Sequence, residues 1–184
     1  MLEGKLVRLR PMEPDEFENY YQWMNDTEVK RYLGMRYFFS RAAEQEWLRG
    51  RTSAPLGYSH IAFAVETKNE GRHVGSIDFH ETVPEDRKAI VGIAIGDKTV
   101  WDKGYGTDAM VTLLRFGFDE MNMHRVMLHV DERNSRAQAS YKKVGFVEEG
   151  RLRDDRFARG RYWDTIVMSI LESEFRAIHG ESEP

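Results

Sequence analysis

A strand that runs into a glycine turn and out again into a helix constrains this chain more than any other stretch. Val91-Gly92-Ile93-Ala94-Ile95-Gly96 reads as the strand and Lys103-Gly104-Tyr105-Gly106-Thr107-Asp108-Ala109 as the turn. Met110, Leu113, Leu114 and Phe118 then mark the buried stripe of a helix. Glycine at 104 and 106 permits positive φ and lets a ligand approach bare backbone. The amides of the turn and of the first helical residues point at one anion, assisted by the helix dipole. Such a turn also serves as a plain connection, so its surroundings decide its meaning.

Those surroundings read as strand, helices, three strands, helix, strand, helix, two strands, which is an α/β sheet covered by helices. Leu6 to Leu9 is the first strand. Phe17, Tyr20, Tyr21 and Met24 fall at helical spacing behind Pro14 and Asp15. A short helix is expected over Thr27–Leu33, and another from Ser40 as N-cap to Arg49, stopped by Gly50. Strands follow at Ile61–Val65 and Val74–Phe79, then a polar connection over Thr82–Lys88. Ala89–Ile95 is nearly continuous in apolar residues and reads as a strand buried on both faces. Val126–Val130 is a strand, Ser135–Val144 a helix closed by Gly145, and Phe146–Leu152 and Trp163–Leu171 complete the sheet. Residues 1–179 are expected to form one domain and 180–184 a disordered tail.

Composition removes several classes of function. With no cysteine there is no disulfide framework, thiolate nucleophile or cysteine-ligated zinc. The six histidines show no metal-ligand spacing, so no metal is expected. No Gly-x-x-x-x-Gly-Lys-Ser/Thr stretch occurs, and the glycine turn lies late for a dinucleotide-binding start. A net charge of −4 argues against nucleic acid as the main partner and suits a cationic substrate slightly better. The opening Met1–Lys5 lacks the apolar core of a signal peptide, and no run nears membrane-spanning length, so a cytoplasmic protein is expected.

A second motif follows the turn: Asn134-Ser135-Arg136-Ala137-Gln138-Ala139-Ser140-Tyr141-Lys142-Lys143-Val144-Gly145-Phe146. Asn134 opens a helix and Tyr141 comes two turns later, so both face one extended ligand. As a pair, the two motifs resemble the GNAT superfamily of N-acetyltransferases, RimJ/RimL-type, the branch that includes ribosomal-protein and spermidine acetyltransferases. The resemblance covers nearly the whole chain, from Leu6-Val7-Arg8-Leu9-Arg10-Pro11 to Phe157-Ala158-Arg159-Gly160-Arg161-Tyr162-Trp163-Asp164.

The resemblance implies a GNAT fold: a mixed central β-sheet with a splayed parallel strand pair and helices on both faces. It implies acetyl-CoA as co-substrate and no metal. The pantetheine arm would pair with the backbone of Ile93, Ala94 and Ile95. The pyrophosphate would rest on the amides of Lys103, Gly104, Tyr105, Gly106 and Thr107. Asn134 would bind the pantetheine amides, and the Tyr141 hydroxyl would protonate or hydrogen-bond the departing sulfur. One departure stands out: Trp101 lies three residues before the first glycine, where the family usually carries Gln or Arg.

An acceptor amine with a pKa of about 10.4 must lose a proton before it attacks a thioester. His80 and Glu81 are expected just after the strand ending at Phe79, and Asp131 and Glu132 just after the one ending at Val130. Glu81 is the first candidate for the base; each of the four also reads as a solvated charge or a hydrogen-bonded histidine. His129 reads as a structural strand residue. Tyr20, Tyr21, Trp23 and Tyr32 read as core or as the acceptor side. Asp154, Asp155 and Arg156 form a charged loop that could steer a cationic acceptor. Lys142 and Lys143 suit a helix C-terminus or the nucleotide phosphates of CoA.

The expected function is acetyl transfer from acetyl-CoA to a primary amine in a ternary complex. With no cysteine and no serine in a nucleophile elbow, an acyl-enzyme is not expected. The resemblance points to the α-amine of a protein N-terminus; a polyamine, an amino sugar or an aminoglycoside is the alternative. Oligomeric state is not readable from the sequence, and the resemblance leaves a homodimer open. A non-catalytic acyl-CoA-binding domain is a further class, against which Tyr141 weighs.

Overall fold

The computed structural model describes residues 1–53, 57 and 61–180. Two short strands, β1 (Leu2–Glu3) and β2 (Val7–Arg10), open the chain, followed by helices α1 (Phe17–Asn25) and α2 (Arg41–Ser53). Strands β3 (Ile61–Thr67), β4 (His73–Val83) and β5 (Lys88–Ile95) lead to helix α3 (Tyr105–Asp119). Strand β6 (Arg125–Asp131), helix α4 (Ser135–Val144), strands β7 (Val147–Ala158) and β8 (Arg161–Leu171) and helix α5 (Glu172–His179) complete it. The strands form one sheet in the order β1-β2-β3-β4-β5-β6-β8-β7.

Alternation along β3 shows how the layers assemble. Ile61, Phe63 and Val65 join Leu113, Leu114 and Phe118 of α3 in the larger core. Ala62 and Ala64 turn to the opposite face, where Tyr20 of α1 and Leu48 of α2 cover them. Small residues on that face let the aromatic ring of Tyr20 lie close to the sheet. Val144 of α4 and Phe175 of α5 belong to the α3 side, so helices cover both faces.

Among the described residues, all pairings between neighbouring strands are antiparallel except one. β5 and β6 run parallel, and they pair only at Lys88↔Arg125, Ala89↔Val126 and Ile90↔Met127. Both strands continue past that point without pairing, so the sheet opens into a wedge beyond Ile90 and Met127. The expected mixed sheet with a splayed parallel pair is therefore present. The expectation that Ala89–Ile95 is buried on both faces is not met: Ile93, Ala94 and Ile95 are half-buried because β6 has moved away from them.

Several boundaries differ from the sequence reading. α2 passes through Gly50 to Ser53; Ser40 caps it as expected, its hydroxyl accepting the Ala43 amide at 3.2 Å. An exposed helical glycine costs only about 1 kcal/mol and does not break the ladder. β4 runs on to Val83, so His80 and Glu81 lie within a strand rather than after it. The register with β5 shifts between His80 and Val83, and Glu81 takes φ 48° at that bulge. The short helix expected over Thr27–Leu33 is a 3-10 turn at Val29–Tyr32. β1 and α5 were not anticipated, and residues 181–184 of the expected tail lie outside the described residues.

Candidate active site

The wedge between β5 and β6 becomes a cleft of about 750 Å³. β5 forms one wall. Gly96 gives its amide to Val74 of β4 at 2.9 Å, so alternation turns the N–H and C=O of Ile93 and Ile95 toward the open edge. The Ile95 carbonyl is already taken there, because the Trp101 indole N–H donates to it at 2.8 Å.

Two helix N-termini form the other boundaries. Gly104 is the N-cap of α3 with φ 87°, a left-handed conformation that costs glycine nothing. Gly106 is different: it lies inside the first turn, and a Cβ there would touch Ile95 Cγ1 at 3.4 Å. Its missing side chain keeps the gap between turn and strand open. Gly104, Tyr105, Gly106 and Thr107 line the cleft, whereas Lys103 falls outside its wall. At the second helix, Asn134 Oδ1 accepts the Ala137 amide at 3.2 Å and so caps α4, leaving its amide nitrogen for other partners. Thr107 and Ser140 hydroxyls meet at 2.8 Å and tie the two helices together. The positive ends of both helices therefore face one space, a setting suited to phosphate groups.

The Trp101 departure has a tertiary answer. The Arg136 guanidinium stacks over the Trp101 ring at 3.7 Å from its centroid, and both residues line the cleft. A cation is thus held beside the glycine turn, supplied from α4 rather than from the turn. Lys143 also lines the cleft, while Lys142 does not.

Tyr141 stands where this cleft meets a second cavity of about 440 Å³ and belongs to the wall of both. Its ring packs against Phe146, with centroids 6.0 Å apart. Burial pushes the phenol up to about 12, so the hydroxyl keeps its proton throughout the physiological range.

The four base candidates separate clearly. His80 is half-buried in the wall of the second cavity, with Nδ1 3.2 Å from Asp78 Oδ1. That hydrogen bond raises its proton affinity above the usual histidine value, more than burial lowers it, and the nearby Glu81 charge adds to the rise. Glu81 itself is exposed at the bulge and lines neither cavity. Burial drives the Asp131 carboxyl upward, but the Arg133 fork, at 2.7 and 2.5 Å, outweighs it and keeps the group ionised below the usual range. Glu132 accepts from Arg151 at 2.8 Å and from the Asp164 amide at 2.9 Å, outside both walls. His129, read as structural, is exposed and lines the second cavity instead.

Tyr32 went unrecognised as a junction: it borders the cofactor-sized cleft, the second cavity and a third cavity of about 860 Å³. Its sequence neighbourhood, Val29-Lys30-Arg31-Tyr32, carries no motif that marks it.

Residues 7–147 match the family model described as "Acetyltransferase (GNAT) domain". The chain is 30% identical over 179 residues to a spermidine N(1)-acetyltransferase of Escherichia coli, covering 94% of this chain and 90% of that one. An N-acetyltransferase of Bacillus licheniformis, p20, is 26% identical over 169 residues, covering 92% and 94% of the two chains. The crystal structure of spermidine N-acetyltransferase from Vibrio cholerae in complex with CoA and spermine superposes with a TM-score of 0.83 at 26% identity, covering 94% and 99%. Matching family, splayed sheet and paired helix N-termini agree: this chain belongs to the GNAT family and is an acetyl-CoA-dependent N-acetyltransferase.

Proposed function

We propose that the chain acetylates a primary amine by direct attack within a ternary complex, with Tyr141 at the leaving sulfur. The observation that carries this reading is the position of Tyr141, on the wall shared by the 750 Å³ cleft and the 440 Å³ cavity. The residues of the cleft fit acetyl-CoA. The open edge offered by the Ile93 amide and carbonyl and the Ile95 amide suits an amide-bearing arm lying as an extra strand, whereas the backbone groups of Ala94 between them face β4. The amides of Gly104, Tyr105, Gly106 and Thr107 suit the pyrophosphate, with Arg136 on Trp101 as the cation beside it. The free amide of Asn134 suits a pantetheine carbonyl.

In the transfer, the amine nitrogen bonds to the acetyl carbonyl carbon and the carbon–sulfur bond breaks. A phenol as weakly acidic as Tyr141 acts by donating a hydrogen bond to the sulfur as its charge develops. We assign the amine's proton to His80, oriented by Asp78, with Glu81 strengthening the base from the adjacent position.

The likeness to RimJ/RimL-type enzymes supports a protein N-terminal α-amine as acceptor. The names of the Escherichia coli and Vibrio cholerae relatives support a polyamine. The same reading includes a homodimer, for which the outer strand β7, with Val147 and Leu152 exposed, is the suitable surface. Tyr141→Phe tests the core of it. Acetyl-CoA should raise the melting temperature of parent and variant equally, while thiol release slows roughly 10²-fold in the variant. Unchanged turnover would remove Tyr141 from the chemistry.

A further inference from the structure

The third cavity, of about 860 Å³, is walled by the loop after α1 and by the β7–β8 hairpin. It shares Tyr32, Asp131 and Arg156 with the cavity that holds His80 and Tyr141, so it continues the space from which an acceptor reaches the acetyl group. Its chemistry is one-sided. Among the described residues Asp131 is the single carboxylate in the wall, and Arg133 neutralises it through two hydrogen bonds. The remaining charged residues are Lys30, Arg31, Arg36, Arg156, Arg159 and Arg161.

Among the described residues none of these six is paired with a carboxylate. Lys30 is buried at 7% exposure, gives its ammonium to the Tyr37 carbonyl at 3.1 Å and lies over the Phe38 ring. Arg156 donates to the Tyr32 carbonyl at 3.2 Å, and Arg161 stacks on Trp163 at 3.7 Å. Many arginines elsewhere are neutralised: Arg8, Arg10, Arg41, Arg72, Arg125 and Arg151 all meet carboxylates. Six cations without carboxylate partners therefore gather at this concave surface, in a protein whose net charge is −4.

The wall is also built rather than incidental. Gly34 has φ 77°, and a Cβ there would lie 2.0 Å from the Arg156 guanidinium. The positive φ favours glycine there, and the absent side chain leaves room for the Arg156 guanidinium to cross from the hairpin to the loop. The hairpin turns on Arg159-Gly160, both with positive φ, a two-residue turn that sets Arg159 and Arg161 on either side of the tip.

We infer that the acceptor amine belongs to an anionic molecule, one whose carboxylate or phosphate groups settle against these cations while its amine reaches Tyr141. This rests on the reading above and decides between its acceptors. A polyamine, cationic along its length, would be repelled from the wall, whereas an N-terminal peptide rich in Asp and Glu, or a phosphorylated amine, matches it.

The test compares kcat/KM, by thiol release with saturating acetyl-CoA, for N-terminal peptides alike except for acidic, amide or basic residues at positions two to four. Glucosamine 6-phosphate against glucosamine, and spermidine, complete the panel. The anionic member of each set should be preferred roughly tenfold or more at low salt, chiefly through KM, and the preference should shrink as salt rises. Peptide and phosphate arms together tell which anion is used. The double variant Arg31→Glu/Arg159→Glu should erase or invert the preference while its melting temperature still rises with acetyl-CoA as the parent's does. Preference for spermidine or the basic peptide, or a preference unaltered in the double variant, would overturn the inference. Failure of acetyl-CoA to stabilise the parent would instead strike the cofactor reading itself.

Discussion

Asp108, in the first turn of α3, carries a load that its place in the glycine motif conceals. Its Oδ1 accepts the Lys5 amide at 3.1 Å, and its Oδ2 accepts those of Leu6 and Val7 at 2.7 and 3.0 Å. One carboxylate thus holds the loop between β1 and β2 against the helix that shapes the cleft. Asp108→Ala removes all three acceptors at once. A hydrogen bond to a charged group contributes about 1.5–3 kcal/mol, and leaving a buried donor unpaired costs a similar amount. Lys5 and Leu6 are exposed, so water replaces most of what their amides lose, whereas Val7 is fully buried. The sum is about 2–4 kcal/mol, dominated by the Val7 amide, with a smaller part from a lost anion at a helix N-terminus. For a chain of this size that corresponds to a fall in melting temperature of about 5–15 °C. Calorimetry on parent and variant measures it, and hydrogen exchange should locate the loosened amides at residues 5–7. Asp108 does not line the cleft, so acetyl-CoA should still stabilise the variant by the parent's increment. A melting temperature within about 1 °C of the parent would refute the reasoning, since at least one buried amide must then have found another acceptor.

Arg136→Ala should weaken acetyl-CoA binding about tenfold, the loss of one charge-assisted contact, with kcat unchanged. Calorimetric titration at two salt concentrations would check it, and an unaltered Kd would take Arg136 away from the phosphates. If His80 is the base, kcat/KM should fall as pH drops through a value above 6.5, because Asp78 holds the imidazole's proton more tightly. Asp78→Asn should move that limb toward lower pH and His80→Gln should remove it; a limb unmoved in both would clear His80. His73 titrates in the opposite sense. Burial lowers its proton affinity below the usual value, and the ring is hydrogen-bonded to the Gly75 carbonyl at 2.9 Å and to the Asn19 amide at 3.2 Å. The unfolded chain therefore takes up this proton first, so the stability it supplies is present above about pH 6.5 and declines as pH falls below. His73→Gln should flatten that part of the denaturation profile relative to the parent, and an identical slope would exclude the contribution.

What was legible in the sequence followed from periodicity and from motifs. α3 and α4 each bury one stripe, β3 alternates large and small apolar residues, and β5 is a short, nearly continuous apolar run, patterns distinct enough to separate helix from strand. β7 was read only as far as Leu152 because its further residues, Arg153 to Ala158, are mostly charged and exposed on an outer strand. Nothing apolar alternates there; the strand exists because β8 supplies its hydrogen bonds. α5 escaped for a related reason: Phe175 is its single buried anchor, and its start depends on Glu174 reaching back to the Leu171 amide at 2.8 Å. Glu81 differs from its expected place after the strand because β4 runs four residues further, to Val83, and the bulge there leaves no mark in composition.

The site divides along the same line. Backbone features, the open edge of β5 and the helix N-termini, are written locally and were readable from Ile93 to Thr107 and at Asn134. Charges are not, since their effect depends on what the fold sets opposite them. Trp101 looks like a missing phosphate contact until Arg136, thirty-five residues later, is found stacked upon it. The net charge of −4 suggests a cationic substrate, yet those carboxylates are spent largely on ion pairs elsewhere. Screening confines each exposed charge to within about 10 Å, so an acceptor senses only the wall it approaches. That wall draws Lys30, Arg31 and Arg36 from one loop and Arg156, Arg159 and Arg161 from a hairpin more than a hundred residues away. A whole-chain total cancels these against distant acids, and so does not report the local sign of charge at this wall.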